Sequence, residues 1–310
     1  MIDTLTLNPS IDQHITVAKL VKDDTLRALS VRQDPGGKGI NVARGLHVLG
    51  RSTRAFTFLG GNTGLLFKKL LEREKVEFIS LPVPGETRIN NIITDLSDGT
   101  QTRISLPGPP VDPAALDRMA ETLKTTLPRP TYWVLGGSLP EGVPTDIYRV
   151  LIGRLQARGE HCVLDADGEE LKEGLFAMPF LIKPNEYELA RLAGRPLAGE
   201  KEIQKAALEL CDQGVRIVAV SLGAQGALLA TLKDCYFLRA PAVEAKSKVG
   251  AGDSFIAGFL SEYADKGDLL AAGISGVAAG SAAVAKEGTQ LYSREDYDRL
   301  KPLVQWRRLP

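Results

Sequence analysis

The stretch Val249-Gly250-Ala251-Gly252-Asp253-Ser254-Phe255 leads directly into an apolar run of small residues, which predicts the start of a helix. Gly250 and Gly252 permit a tight turn with exposed backbone N–H groups, and the positive end of the helix dipole favours an anion there. A carboxylate, Asp253, lies beside this predicted anion site. Acidic side chains at helix starts are commonly caps, so two interpretations stand: Asp253 is a cap, or it is a general base.

A second glycine-rich element lies far upstream, Pro35-Gly36-Gly37-Lys38-Gly39-Ile40-Asn41-Val42-Ala43. Its glycines surround a lysine and precede a predicted helix, so backbone N–H groups, a cation and an amide can converge on one polar ligand. The spacing matches neither the Walker A loop nor the Gly-x-Gly-x-x-Gly fingerprint of dinucleotide-binding folds. The alternative interpretation is an ordinary loop before a helix.

Short runs of β-branched and apolar residues alternate with amphipathic windows through most of the chain. This order is typical of βαβ units and predicts an α/β fold with a mostly parallel central sheet. The predicted strands are Ile2–Leu7, Arg54–Leu59, Tyr132–Leu135, His161–Leu164, Phe180–Ile182 and Ile217–Ser221. The predicted helices are Gly39–Leu49, Leu65–Glu74, Pro113–Thr125, Thr145–Arg158, Glu186–Ala193, Lys201–Asp212, Asp253–Ala264 and Leu269–Ala285.

Two segments, about 13–32 and 86–106, interrupt this alternation because they have β character with no helix between strands. Ser97-Asp98-Gly99 in the second segment is a hairpin signal. We expect the two segments to form a small separate sheet, called the lid, over the mouth of the main sheet. No repeat or long linker divides the chain, so residues 1–310 are predicted to form a single domain.

Composition excludes several classes of partner. The 38 Lys and Arg residues equal the 38 Asp and Glu residues, so no overall charge favours nucleic acid or a membrane surface. No apolar window reaches the length of a membrane span. Three widely separated cysteines argue against a disulfide framework or a zinc site, and a cytoplasmic location is expected.

Taken together, the two glycine-rich elements resemble the signatures of the ribokinase-like sugar kinases, the PfkB carbohydrate kinase family. Four further segments carry the resemblance: Thr6-Leu7-Asn8-Pro9-Ser10-Ile11-Asp12, Gly136-Gly137-Ser138-Leu139-Pro140, Lys183-Pro184-Asn185-Glu186-Tyr187-Glu188 and Ser221-Leu222-Gly223-Ala224-Gln225-Gly226. The resemblance implies a three-layer α/β/α domain with a β-sheet lid. It also implies that the γ-phosphoryl group of ATP is transferred to a sugar hydroxyl with Mg²⁺ as cofactor.

The family roles can be carried over residue by residue. The resemblance implies that Asp253 is the base, and that the turn of Gly250, Ala251 and Gly252 holds the charge of the transferred phosphoryl group. It implies that Asn185 and Glu188 organise the Mg²⁺ shell, through water. The residues assigned to ATP are Lys183, Asn185, Ser221, Gly223, Gly226, Val277, Gly280 and Ser281, although helix packing explains the last three equally well.

The sugar side is assigned in the same way. The residues implied to bind the sugar or its phosphate are Asp12, Arg27, Gly37, Lys38, Asn41, Arg88, Arg103 and Ser138. Arg88 and Arg103 lie on the two limbs of the predicted lid hairpin, where paired guanidinium groups suit a phosphate. The arginine pair therefore predicts a substrate that already carries a phosphate; exposed strand arginines that only solubilise the protein are the alternative.

Within the family, the chain resembles the phosphofructokinase branch. Leu26-Arg27 and the order of Arg103 before Leu106-Pro107-Gly108 favour the PfkB-type 6-phosphofructokinases, whereas Gly37-Lys38-Gly39 is typical of 1-phosphofructokinases. The expected reaction is phosphorylation of fructose 6-phosphate at its C1 hydroxyl. Fructose 1-phosphate and tagatose 6-phosphate are the alternative substrates, and a non-catalytic sugar-phosphate sensor is a remoter alternative. A homodimer through the lid strands and a monovalent cation near Ser247 and Gly288 are further expectations.

Overall fold

A computed structural model describes residues 1–247 and 249–310. Within these residues the strands form two sheets, one of ten strands and one of four. The strands are β1 Ile2–Thr6, β2 Ser10–Val17, β3 Ser30–Gly36, β4 Arg54–Leu59, β5 Glu77–Pro82, β6 Arg88–Asp95, β7 Gln101–Ile104, β8 Tyr132–Gly136, β9 His161–Asp165, β10 Leu181–Ile182, β11 Ile217–Ser221, β12 Gly226–Ala230, β13 Cys235–Arg239 and β14 Gln305–Arg308.

The α-helices lie mostly between strands of the large sheet. They are α1 Lys38–Val48, α2 Gly61–Arg73, α3 Pro113–Thr125, α4 Ile147–Gln156, α5 Gly168–Leu175, α6 Glu186–Ala193, α7 Glu200–Asp212, α8 Ala251–Lys266, α9 Leu269–Val284 and α10 Arg294–Leu300. In the described part of the chain, none of these helices has both the length and the apolar character needed to cross a membrane.

The large sheet has the order β14-β13-β12-β11-β10-β9-β8-β1-β4-β5. The strands from β11 to β5 in this order are parallel, which confirms the predicted α/β fold. Strands β12, β13 and β14 at the other end of the sheet are antiparallel to their neighbours. Strand β4 pairs with one edge of β1, and the later strand β8 pairs with the other edge of β1. The order of strands therefore reverses at β1, and ligands of open α/β sheets bind beyond the carboxyl ends of the strands at such a point.

Apolar side chains cover both faces of the large sheet and produce three layers. One core packs around Trp133 and Leu135 of β8 beneath helices α3 to α7. The other packs around Val134 of the same strand, beneath α1, α8 and α9. Because successive side chains of a strand point to opposite faces, the near-continuous apolar runs in these strands are what a sheet covered on both sides requires.

The small sheet has the order β3-β2-β6-β7 and contains the predicted hairpin between β6 and β7. It is the lid expected from the sequence, with one difference in extent. Ordered strands occupy 10–17 and 30–36, whereas residues 18–29 are irregular rather than extended. This irregular part is exposed except for the half-buried Leu26, and its apolar side chains Leu20, Val21 and Leu29 are 38%, 40% and 62% exposed, so it buries little apolar surface that could hold it against the sheet.

Candidate active site

The predicted anion site is the first turn of α8. Gly250 is its N-cap in the left-handed conformation, with φ 79°, and Ala251 is its first residue. The backbone N–H groups of the first helical residues have no carbonyl partner within a helix, so those of Ala251, Gly252 and Asp253 are available to an anion. Because the cap is a glycine and Asp253 lies two residues inside the helix, Asp253 is not the cap.

Asp253 is instead a buried acceptor, with 8% of its surface exposed. Its Oδ2 atom accepts a hydrogen bond of 2.8 Å from Nδ2 of Asn41 on α1. One turn further along each helix, a Cβ on Gly45 would lie 2.8 Å from the Cβ of Ala257. The close approach of α1 and α8 at Gly45 therefore brings the amide of the upstream glycine-rich element to the carboxylate of the downstream one.

A second acid, Asp165, was missed by the sequence prediction. It ends β9 and is 3% exposed. Its Oδ1 lies 2.7 Å from Nζ of Lys38 and 3.8 Å from Nζ of Lys183. The signal that could have revealed it is its place at the carboxyl end of a strand, level with Gly136 of β8.

The charged groups of this cluster shift one another's pKa values. Burial raises the pKa of Asp253 to about 6, with a further contribution from the Asp165 carboxylate, while Lys38, Asn41 and Lys183 act in the opposite direction. Burial alone would also raise the pKa of Asp165, but Lys183 and Lys38 hold it below its ordinary value. Asp165 is therefore the ionised partner of the two lysines, and Asp253 is the acid whose pKa is raised toward neutral pH.

Lys183 lies directly over the first turn of α8. A Cβ on Gly252 would be 2.7 Å from Nζ of Lys183, so the glycine leaves the space that the ammonium group occupies. A cation at the start of a helix is repelled by the dipole unless an anion lies between them. Lys183 and the N–H groups of α8 therefore lie close together, in an arrangement that could hold an anion between them.

The sugar-side residues form a separate polar group at the start of the lid. Asp12, 1% exposed, accepts hydrogen bonds from Ser10 Oγ at 2.9 Å and from Asn90 Nδ2 at 3.0 Å. A Cβ on Gly36 would lie 2.6 Å from Asp12 Oδ2. The next residue, Gly37, is the N-cap of α1 with φ 123°, a conformation that favours glycine. The glycine-rich turn therefore begins against the Asp12 carboxylate.

The two lid arginines have different surroundings. Arg88 is largely occupied, since it donates to the carbonyl oxygens of Asn8, Pro9 and Leu106 and to Ser138 Oγ. Arg103 remains 45% exposed, and its Nη2 lies 3.8 Å from Asp12 Oδ1. Arg27 is exposed in the irregular part of the lid between β2 and β3.

Asn185 and Glu188 form a reciprocal capping box at the start of α6. Asn185 Oδ1 accepts from the Glu188 N–H at 2.9 Å, and Glu188 Oε2 accepts from the Asn185 N–H at 2.8 Å. The predicted metal pair is therefore close together, and its geometry is already explained by helix capping. Ser221 at the end of β11 forms a bridge with Asn185, which brings two of the predicted nucleotide segments side by side.

The remaining predicted nucleotide residues divide into packed and open positions. A Cβ on Gly280 would lie 3.2 Å from the carbonyl oxygen of Ala251, and Val277 is buried in the core beside α8, so helix packing accounts for both. Ser281 is also buried, at 7% exposure. Gly226 begins β12 against the backbone of β13, whereas a side chain at Gly223, with φ 57°, would meet open space.

A divalent cation fits this site on chemical grounds. Asp165 Oδ2 is buried and has no hydrogen-bond partner among residues 1–247 and 249–310. Those residues also contain no group of three or more acidic, His or Cys side chains that could enclose a metal. Mg²⁺ keeps several waters and is commonly held by one or two carboxylates together with substrate phosphates, which suits such a sparse set of protein ligands.

Comparison with known proteins agrees with this geometry. Residues 5–296 match the pfkB family carbohydrate kinases. The chain is 35% identical to 1-phosphofructokinase of Bacillus subtilis over all of both chains, and 35% identical to ATP-dependent 6-phosphofructokinase isozyme 2 of Escherichia coli over 96% of each. A structure of phosphofructokinase-2 from Escherichia coli in complex with fructose-6-phosphate matches with a TM-score of 0.91 and 33% identity, covering 97% of this chain and 98% of that one. The chain belongs to the PfkB carbohydrate kinase family and is a sugar-phosphate kinase with the ribokinase-like fold.

Proposed function

We propose that the protein transfers the γ-phosphoryl group of ATP to the C1 hydroxyl of fructose 6-phosphate, which gives fructose 1,6-bisphosphate. The observation that carries this proposal is the Asp253 carboxylate, which is buried, held by Asn41 and raised in pKa to about 6 beside the start of α8. A general base works best when its pKa lies near the working pH. Here the base also lies next to the group of N–H donors that would receive the reacting phosphoryl group.

The proposed reaction is an in-line displacement. The sugar oxygen forms a bond to the γ-phosphorus, the bond from that phosphorus to the ADP oxygen breaks, and Asp253 accepts the hydroxyl proton. The N–H groups of Ala251, Gly252 and Asp253, together with Lys183, stabilise the negative charge on the phosphoryl oxygens. Without a hydroxyl between them, the carboxylate and the phosphate would repel each other, so the site favours transfer only when the sugar is bound.

The sugar is proposed to lie between the lid and α1. Asp12, Gly37, Lys38 and Asn41 would bind its hydroxyls, while Arg103 would bind its far phosphate. Arg103 suits this role because its guanidinium group is exposed, and guanidinium binds phosphate through two parallel hydrogen bonds. Arg88 and Ser138, which already contact each other, would complete the phosphate site with Arg27 from the lid.

ATP is proposed to extend from α8 toward the end of β11. The residues proposed along it are Lys183, Asn185, Ser221, Gly223, Gly226, Val277, Gly280 and Ser281. Mg²⁺, when bound, would neutralise phosphate charge, with the free oxygen of Asp165 and the Asn185–Glu188 pair as its protein side, directly or through water. Val277, Gly280 and Gly226 also pack against neighbouring backbone and core.

Three further expectations belong to the same proposal. Residues 1–310 are proposed to act as one domain with the lid, and the exposed Val31 on edge strand β3 supports a homodimer through the lid strands. A monovalent cation near Ser247 and Gly288 is proposed in view of a potassium complex of phosphofructokinase-2 from Escherichia coli. Three free, buried cysteines support a cytoplasmic location.

Fructose 1-phosphate is the second candidate substrate. It is favoured by the equal identity of the chain to a 1-phosphofructokinase and by the lysine of the glycine-rich turn, Lys38. The test is a comparison of kcat/KM for fructose 6-phosphate, fructose 1-phosphate and tagatose 6-phosphate by coupled ADP release. A lead of tenfold or more for fructose 1-phosphate, or for tagatose 6-phosphate, would replace the substrate proposed here.

A further inference from the structure

A buried arginine on α1, Arg44, is absent from the site as described so far. It is 4% exposed, and all three nitrogens of its guanidinium group donate hydrogen bonds. Nε and Nη2 donate to the two carboxylate oxygens of Glu74 at 2.6 and 2.7 Å. Nη1 donates to the carbonyl oxygens of Thr289 and Pro35 at 2.9 and 3.0 Å, and to Oδ1 of Asn41 at 3.3 Å.

The contact with Asn41 matters because the same amide also contacts Asp253. Asn41 Oδ1 faces the guanidinium group, while Asn41 Nδ2 donates to Oδ2 of Asp253 at 2.8 Å. A flipped amide would place its NH₂ group against the cation and its oxygen against the carboxylate, and both contacts would be repulsive. The cation on one side and the acid on the other therefore permit a single orientation of the amide.

We propose that Arg44, held in place by Glu74, is a positioning residue that fixes the Asn41 amide and through it the Asp253 carboxylate. The inference rests on the proposed role of Asp253 as the base. Arg44 touches no reacting atom in this scheme. Its bidentate pair with Glu74 sets the plane of the guanidinium group, and that plane sets the direction from which Asn41 meets Asp253.

The surroundings of Asp253 show why this contact affects function. Burial and then Asp165 of β9 raise the pKa of Asp253, whereas Lys38 and Asn41 of α1 and Lys183 after β10 lower it. Among the described residues, Asn41 is the one side chain that donates a hydrogen bond to Asp253. Loss of that bond leaves the carboxylate free to rotate and easier to protonate, so turnover should fall more at pH 6 than at pH 8.

The test is a double-mutant cycle on kcat with fructose 6-phosphate, or with whichever sugar phosphate gives the fastest turnover. Arg44→Lys keeps the charge, but a single ammonium group cannot reproduce the fork that reaches Glu74 and Asn41 together. We expect Arg44→Lys to lower kcat about tenfold, and further at pH 6 than at pH 8. In an Asn41→Ala background the same change should cost less than about threefold, because the amide through which it acts is gone. If Arg44→Lys lowers kcat by the same factor in the wild type and in the Asn41→Ala background, the proposal is overturned.

Arg54 provides the matched control for a purely structural effect. It is also 4% exposed, and it is paired with buried Asp3 at 2.6 Å near the amino end of the large sheet. Arg54→Lys should lower stability but leave kcat per folded molecule and its pH profile unchanged. If Arg54→Lys changes kcat and its pH profile as Arg44→Lys does, the effect is a general loss of structure and the proposal fails.

Two further variants keep the test decisive. If Arg44→Lys does not fold, Glu74→Gln replaces it, because the Glu74 side chain is 33% exposed and its loss loosens Arg44 without removing it. It should shift the pH profile in the same direction, and an unchanged profile would overturn the inference. Asp253→Asn separates this inference from the proposed function: wild-type turnover in that variant refutes the base itself. An inactive Asp253→Asn with a wild-type pH profile in Arg44→Lys refutes only the positioning role.

Discussion

Replacing Asp253 by Asn should make the folded protein more stable at pH 8 while it slows turnover by at least about 100-fold. The carboxylate is buried beside Asp165, and its pKa rises from an ordinary value of 3.8 to about 6. A difference of about 2 units corresponds to a cost of about 3 kcal/mol for holding the ionised group in the folded protein. Asparagine has nearly the same shape and no charge, so the variant avoids this cost.

The sign of the pH dependence follows from the raised pKa. Between about pH 4 and pH 6 the folded protein holds the Asp253 proton more tightly than the unfolded chain, so the wild type loses stability as the pH rises through this window. The advantage of Asp253→Asn should therefore be complete above about pH 7 and disappear near pH 4. The same titration should give kcat/KM of the wild type an acidic limb near pH 6.

Urea unfolding of both proteins at pH 8 and at pH 4.5 measures this difference directly. Comparison in the same buffer cancels the titration of groups outside this charged cluster, and Asp117→Asn on the exposed face of α3 is the control, expected within about 0.5 kcal/mol of the wild type. Equal stability of Asp253→Asn and wild type at pH 8, or lower stability of the variant, would refute the electrostatic account of the site.

Three further substitutions test single contacts. Gly252→Ala should raise KM for ATP at least several-fold, because the new methyl group meets Lys183 Nζ, and an unchanged KM would show that Lys183 is not part of the anion site. Arg103→Ala should raise KM for a phosphorylated sugar about tenfold or more and leave weak activity on free fructose unchanged; equal losses on both would exclude a phosphate contact. Gly45→Val should lower both stability, by about 1–3 kcal/mol, and kcat, because it separates α1 from α8 next to Asn41. Thermal unfolding and coupled ADP release measure these effects, and a fully active Gly45→Val variant would contradict the helix contact.

The glycine turns and the capped helices could be predicted from local sequence patterns. The glycine turn before α1 and the turn before α8 were predicted because both need unusual backbone conformations, with φ 123° at Gly37 and 79° at Gly250. Helices α3 and α6 were predicted with the observed limits, since Asp112 and Asn185 cap them through their side chains. Helices α5 and α10 and strands β5 and β12 to β14 were missed; each spans eight residues or fewer.

The contacts that give the site its chemistry could not be predicted in the same way. Lys38 and Asp165 are 127 residues apart in sequence, and Asn41 and Asp253 are 212 apart. Nothing local to Asp165 distinguishes a buried acid that pairs with two lysines from an ordinary acid after a strand. Likewise, nothing in the sequence around Arg44 distinguishes it from an arginine on the exposed surface of a helix. Only the packing of α1 against its neighbours shows that Arg44 is buried.

The most direct test of the central claim is sugar-dependent release of ADP by the purified protein, with wild type and Asp253→Asn measured side by side. With ATP, Mg²⁺ and fructose 6-phosphate, the wild type should release ADP in proportion to the sugar phosphorylated, and the variant should be slower by about 100-fold to 10,000-fold. Circular dichroism of the variant should show that it is folded. Failure of the wild type to exceed the Asp253→Asn background with fructose 6-phosphate, fructose 1-phosphate or tagatose 6-phosphate would contradict the account.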